Sequence, residues 1–166
     1  MNSNQFQISE EMYATHAQRI ANFFIDYFCQ LLLLFSAVFV YIFITALFGS
    51  KEIPNFEGMG TLAEYAIGLV LLLVYYNVLE ILFARTIAKF ITKTIVVDEF
   101  GEKPSVNAIL TRSICRAIPL EFLTFLGTPC RGWHDSFSDT YLVQKDLLDN
   151  AKAVFHSVEE LGKSEE

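Results

Sequence analysis

The sequence predicts an all-α membrane protein. Two transmembrane helices are followed by a third, short re-entrant or amphipathic helical element, with a small cytoplasmic β pairing and a C-terminal amphipathic helix. Three observations carry this. Apolar residues make up 53% of the 166 residues, and Phe alone contributes 16. Charged residues are only 19%, below the roughly 25% of soluble chains. Two long runs are nearly free of charge, and about 20 apolar residues suffice to cross a hydrocarbon core of ~30 Å.

The first run extends from Phe23 to Phe48, with Asp26 as its single formal charge. The second extends from Tyr65 to Ala84 and carries only Glu80. Gly68 and the β-branched residues do not argue against helices here, because a helix in lipid satisfies its backbone internally. The third apolar stretch, Ala117 to Cys130, contains Pro119, Glu121 and Pro129. It is too short to span, so an interfacial or re-entrant element is expected. Just upstream, Asn107 to Arg116 places Arg112 and Arg116 four apart, on one helical face. That pattern predicts an amphipathic helix at the headgroups with its arginines snorkelling outward.

Thr94 to Asp98 and Thr140 to Val143 read as short strands, the first ending in a turn at Glu99 to Glu102. Their pairing would put both ends of the intervening segment on one side of the membrane, so that segment would dip rather than cross. In the tail, Leu147, Leu148, Ala151, Val154, Phe155, Val158 and Leu161 recur at helical spacing, with Asp146, Asp149, Glu159 and Glu160 on the remaining face. An acidic helix suits an anionic leaflet poorly. It is expected to pack on the protein's own cytoplasmic face or on a partner helix. The chain thus divides into a membrane domain, 1–143, and a tail helix, 144–166.

Orientation follows from basic residues near the membrane ends. Between Gly49 and Glu64 the only one is Lys51, whereas Arg19, Arg85, Lys89 and Lys93 flank the other ends. Both termini are therefore expected in the cytoplasm. The first 15 residues show no basic region of a cleavable signal, so the first span is expected to stay as an anchor.

The formal charge of −7, from 12 basic and 19 acidic residues, argues against nucleic acid as a partner. Cys29, Cys115 and Cys130 lack CxxC spacing, and His16 and His156 lack ligand-spaced partners, so no metal site, disulfide framework or cofactor is expected. His134-Asp135 has no positioned nucleophile, and Ser136 and Ser138 have no G-x-S-x-G context. No enzymatic activity is expected. Arg131 and Trp133 read as an interfacial anchor, with Trp at the headgroups and Arg on phosphate.

An ionisable group inside a span needs a partner or a function. Asp26 lies two turns beyond Arg19, about 10 Å along the axis, too far for a direct bridge. Asp26 and Glu80 are therefore free to meet Arg112, Arg116, Arg131, Asp135 and Asp139 from the third element. Two readings stand side by side. A cluster balanced between desolvation and nearby arginines is able to exchange a cation or proton. Alternatively, the carboxylates pair with the arginines as a latch that holds the dipping segment against the spans.

The charged residues also fall in a familiar order. The segment Arg19-Ile-Ala-Asn-Phe-Phe-Ile-Asp26, then Arg85-Thr-Ile-Ala-Lys89 with Ile95-Val-Val-Asp98, then Pro104-Ser105 leading into Arg112 and Arg116, and finally Arg131-Gly-Trp-His-Asp135-Ser-Phe-Ser-Asp139-Thr140 resemble the motifs of the RDD family of prokaryotic integral membrane proteins. Ala88 stands where that family usually has Gly. The resemblance runs from about Ala14 to Val143 and implies an inner-membrane protein. Some family members are described as cation/proton antiporters. The resemblance therefore implies Asp26, Asp135 and Asp139 as ion- or proton-binding candidates, with Arg19, Arg112 and Arg131 as counter-charges. Burial in the second span adds Glu80, and its position adds Arg116. The expected function is exchange or transport of a small cation against protons. Two spans cannot enclose a path, so this requires a homo-oligomer or a membrane protein partner within the lipid bilayer. The alternative is a structural or accessory subunit that anchors or assembles a membrane complex through its cytoplasmic face.

Overall fold

The computed structural model describes residues 5–48, 60–116, 118, 121–127 and 130–163. Helix α1 (His16–Leu47) begins two turns before the apolar run. Its start is fixed by a reciprocal cap: the Thr15 hydroxyl accepts from Gln18 N at 3.2 Å, and Gln18 Oε1 accepts from Thr15 N at 2.9 Å. With 32 residues it is about 48 Å long, more than the hydrocarbon core requires, so its first turns project past the membrane. The buried side chains of α1 are Arg19, Asn22 and Asp26, whereas Phe24, Phe28, Phe35 and Phe39 face outward. This is the inverse of a soluble helix, because lipid is the outside solvent.

Helix α2 (Thr61–Phe83) ends at Ala84, which takes a left-handed conformation (φ 55°) and donates its N–H to Glu80 O at 2.9 Å. Both α1 and α2 are long and apolar enough to span a membrane, and their outer surfaces carry exposed Phe43, Leu47, Val70 and Val74. The molecule is an all-α membrane protein with two spanning helices and one small sheet.

After α2 the chain folds back through the short helix α3 (Ile87–Ile91) into strand β1 (Thr94–Val97). Strand β2 (Tyr141–Gln144) pairs with it antiparallel, Thr94 opposite Gln144 and Val97 opposite Tyr141. The ribbon is anchored to both spans: Ala14 N donates to Leu142 O at 2.9 Å and Val96 N to Ala84 O at 3.1 Å. Everything between the strands therefore starts and ends on the same side as the start of α1 and the end of α2. That segment holds helix α4 (Val106–Arg116), a 3₁₀ turn (Glu121–Leu126) and helix α5 (Trp133–Phe137). Ala117, Pro119, Pro129 and the Lys51 loop lie outside the described residues.

One expectation is overturned. The arginines of α4 do not snorkel outward: Arg112 is fully buried, while Val106, Leu110 and Ile114 are the exposed stripe. The helix is amphipathic with the opposite face inward, because the buried carboxylates of α2 and α5 attract the guanidinium groups and lipid accepts the apolar side.

Helix α6 (Lys145–Lys163) follows β2 directly. Leu148 packs with Val97 and Val143, and Phe155 meets the Phe6 ring edge-on at 5.8 Å. Gly101 closes the turn after β1 at φ 75°, with Asp98 Oδ1 accepting from Phe100 N and Glu102 N. The apolar arc of α6 is divided, since Leu147, Val154 and Val158 remain exposed. Leu148 is the anchor of this helix. Leu148→Ala is expected to cost about 2–4 kcal/mol and to release α6 to limited proteolysis in detergent, with the two spans still protected.

Candidate functional site

At the ribbon end, the inner faces of α1, α2, α3, α4 and α5 meet in a buried set of charges. Three carboxylates organise it, each with a different kind of partner.

Asp26 of α1 is 2% exposed. Its Oδ1 accepts from the Tyr75 hydroxyl at 2.7 Å and from Ala88 N at 3.3 Å, and its Oδ2 accepts from the Thr86 hydroxyl at 2.7 Å. All these donors are neutral. The expected pairing of Asp26 with the arginines of the third element is therefore corrected. The start of α3 places Thr86 and the Ala88 N–H against Asp26, and the arginines are drawn to other carboxylates.

Glu80 of α2 is 0% exposed and gathers three cations. Lys89 Nζ of α3 donates to Oε1, Arg116 Nη2 donates to Oε1 at 2.9 Å, and Arg112 Nε donates to Oε2 at 3.3 Å. The Arg116 guanidinium lies over the Tyr76 ring, 4.1 Å from its centre. Burial pushes the Lys89 ammonium down to about 8, because Glu80 only partly offsets desolvation and the two arginines add repulsion.

Asp135 of α5 is also fully buried and takes two arginines: Arg19 Nη1 donates to Oδ2 at 2.5 Å and Arg112 Nη1 donates to Oδ1. Burial opposes its charge, but His134, Arg112 and Arg19 hold its carboxyl well below the usual carboxylate range. Arg112 also donates to the Thr140 hydroxyl. It thus joins α2, α5 and the residue that leads into β2. The neighbouring His134 is kept low by burial, with Asp135 and Glu121 pulling the other way. Its Nδ1 lies 2.5 Å from Glu121 Oε1, which also accepts His134 N at 3.2 Å.

Of the residues singled out by sequence, Asp26, Glu80, Asp135, Arg19, Arg112 and Arg116 come together in this layer. Asp139 does not. It sits exposed in the turn before β2 with φ 47°, where its short side chain suits the left-handed backbone. Arg131 is not a counter-charge to a carboxylate side chain: Nη2 donates to the Asp135 carbonyl at 3.3 Å, and the guanidinium stacks 4.4 Å from the centre of the Tyr141 ring. That inward stacking also corrects its reading as a lipid-phosphate anchor, whereas Trp133 is half exposed, as an interfacial residue would be.

Sequence reasoning missed Lys89, Thr86, Tyr75 and Thr140 as members of the layer. For Lys89 and Thr86 the signal was present, since both lie in the Arg85–Lys89 motif. Tyr75 carries no such signal, because nothing local tells a hydroxyl pointing inward from one pointing out. Among the described residues no group of three or more His, Cys, Asp or Glu is arranged to hold a metal ion. The RDD family model matches residues 13–139, a range that contains every charged member of the layer. No curated protein and no solved structure matches the chain.

Removing the bridging guanidinium leaves Glu80 and Asp135 each short of a buried cation. Arg112→Met is expected to destabilise the protein by about 3–5 kcal/mol, read as a lower melting temperature in detergent. Arg112→Lys restores little, because one ammonium cannot reach both carboxylates. Lys89 gives a pH signature. The unfolded chain keeps its proton up to about pH 10.5, and the folded chain gives it up at about 8. Stability therefore rises with pH through that window. The melting temperature of wild type relative to Lys89→Met should climb between those two values.

Proposed function

This chain belongs to the RDD family, and we propose that it exchanges a small cation against protons across the prokaryotic inner membrane, as an oligomer with both termini in the cytoplasm. One observation carries the reading: Asp26 is a buried carboxylate within a membrane helix whose donors are all neutral. Glu80 and Asp135 are each neutralised by two or more cationic side chains, as a frame would be. Asp26 has instead the surroundings of a group that trades partners. The hydroxyls of Tyr75 and Thr86 are hard oxygen ligands that suit either a proton or a small cation beside the carboxylate. In this reading Glu80, Asp135 and the arginines are the latch that keeps α3 against α1, so that the Asp26 pocket holds its shape. Two spans cannot line a path across the bilayer, so further copies or a partner subunit complete it.

A second reading, an accessory subunit that assembles a membrane complex, is favoured by α6. Its exposed Leu147, Val154 and Val158 make an apolar stripe beside an acidic face, which fits a partner helix.

Proton flux in proteoliposomes on addition of Na⁺, K⁺ or Li⁺ separates the two. Flux is expected from wild type, and its loss is expected from Asp26→Asn that elutes at the native size. No flux from folded wild type, together with loss of a membrane partner on deleting residues 146–166, would decide for the accessory role.

A further inference from the structure

Helix α6 is docked by one face and leaves a second one exposed. Leu148 packs with Val97 and Val143, Phe155 meets Phe6, and Lys152 Nζ donates to Glu102 Oε1 at 2.6 Å. These contacts fix the rotation of the helix about its own axis. About a quarter-turn away lie Leu147, Val154 and Val158, which are 42%, 64% and 63% exposed. Ala151 sits half-buried between them.

Leu147, Ala151, Val154 and Val158 follow one another at intervals of 4, 3 and 4 residues. That is the heptad spacing of a two-stranded coiled coil, whose seam takes another helix knobs into holes. The residues bordering the seam say which helix. Its open flank is Asn150 and Ser157, and the carboxylates of Asp146, Asp149 and Glu160 lie beyond them, further round the helix. A charged flank would repel a copy of itself or call for a partner of opposite charge. This flank is neutral, so two identical helices meet there without like charges in contact. A leaflet fits poorly, because a helix lying on one borders its apolar arc with Lys and Arg, and here that border is Asn and Ser.

We propose that this seam pairs antiparallel with α6 of a second copy of the chain. The pairing sets Leu147 against Val158 of the partner subunit and Ala151 against Val154 of the partner subunit, each contact occurring twice across a two-fold axis. Larger side chains then face smaller ones along the seam. Asn150 comes beside Ser157 of the partner subunit, amide next to hydroxyl. A parallel pair would instead turn Asn150 toward the Phe155 side, which Phe6 already occupies. So short a seam pairs weakly by itself. The spans, however, hold both copies in one membrane, which raises their effective concentration. The inference rests on the oligomer proposed above and names its interface.

The test is disulfide cross-linking of full-length protein in proteoliposomes, with wild type and its native Cys29, Cys115 and Cys130 as the baseline. Leu147→Cys and Val158→Cys copies are mixed in one vesicle and oxidised. The mixture is expected to give more covalent dimer than wild type or either variant alone, because antiparallel pairing sets the two positions opposite each other. Mixed Asp149→Cys and His156→Cys copies, at matching levels on the far face, are expected to stay at baseline. Val154→Asp added to both seam variants places like charges in the seam and is expected to cut the yield about tenfold. The melting temperature should not change, since Val154 is exposed on its own copy. An undiminished yield with Val154→Asp would overturn the proposal, and so would a baseline yield from folded protein. In the second case, a seam cysteine shielded by the bilayer from a water-soluble maleimide gives the face to the leaflet, and one left open gives it to a different protein. Equal dimer from each variant alone would overturn the antiparallel pairing. None of these readouts depends on flux, so a failure of ion exchange is told apart from a failure of this interface.

Discussion

The ribbon end depends on Arg112. It is fully buried, and it bonds Glu80 of the second span, Asp135 of α5 and Thr140, the residue that leads into β2. A hydrophobic core cannot do this work here. The spans are surrounded by lipid, which is as apolar as Leu, so apolar packing between elements gains little within the bilayer. Charge pairing in a dry interior is directional and strong, but it is stabilising only when every ion finds its partner. The layer therefore has to be built as a whole, with Arg19, Lys89 and Arg116 completing what Arg112 begins. This explains why charges from five helices converge on so small a volume.

The small sheet sets the geometry in which that layer forms. Because β1 and β2 pair in register, the segment between them begins and ends at one level, and α4 lies as a roof over the span ends. Ala14 and Ala84, both nearly fully buried, tie the start of α1 and the end of α2 to the ribbon through backbone hydrogen bonds. Their small side chains allow that approach. The apolar contacts of Val96, Leu142, Val97, Val143 and Leu148 lie on this ribbon, away from the spans, where water makes the hydrophobic effect available.

Asp26 stands apart within the layer. It is buried among hydroxyls and one backbone amide rather than among cations, although Lys89 is next in sequence to the residue whose N–H it accepts. The same lysine is claimed by Glu80. A frame of fixed ion pairs thus surrounds one carboxylate bonded only by neutral donors. That asymmetry gives the proposed exchange its candidate group and separates it from the residues that hold the shape.

The sequence by itself determined the two spans, the short strands, the amphipathic helices α4 and α6, the family likeness and most of the charged layer. Those features rest on composition, period and order along the chain. An isolated charge in an apolar run is conspicuous because burial is expensive, so Asp26 and Glu80 announce themselves. Only the tertiary structure decided which charges meet. It turned the arginines of α4 inward, gave Asp26 to Tyr75 and Thr86, brought in Lys89 and left Asp139 outside in a turn. An amphipathic helix reads the same whichever face is buried, and in a membrane either face has a solvent that accepts it. The choice is made by the partner charges on other elements, which spacing along one chain does not reveal.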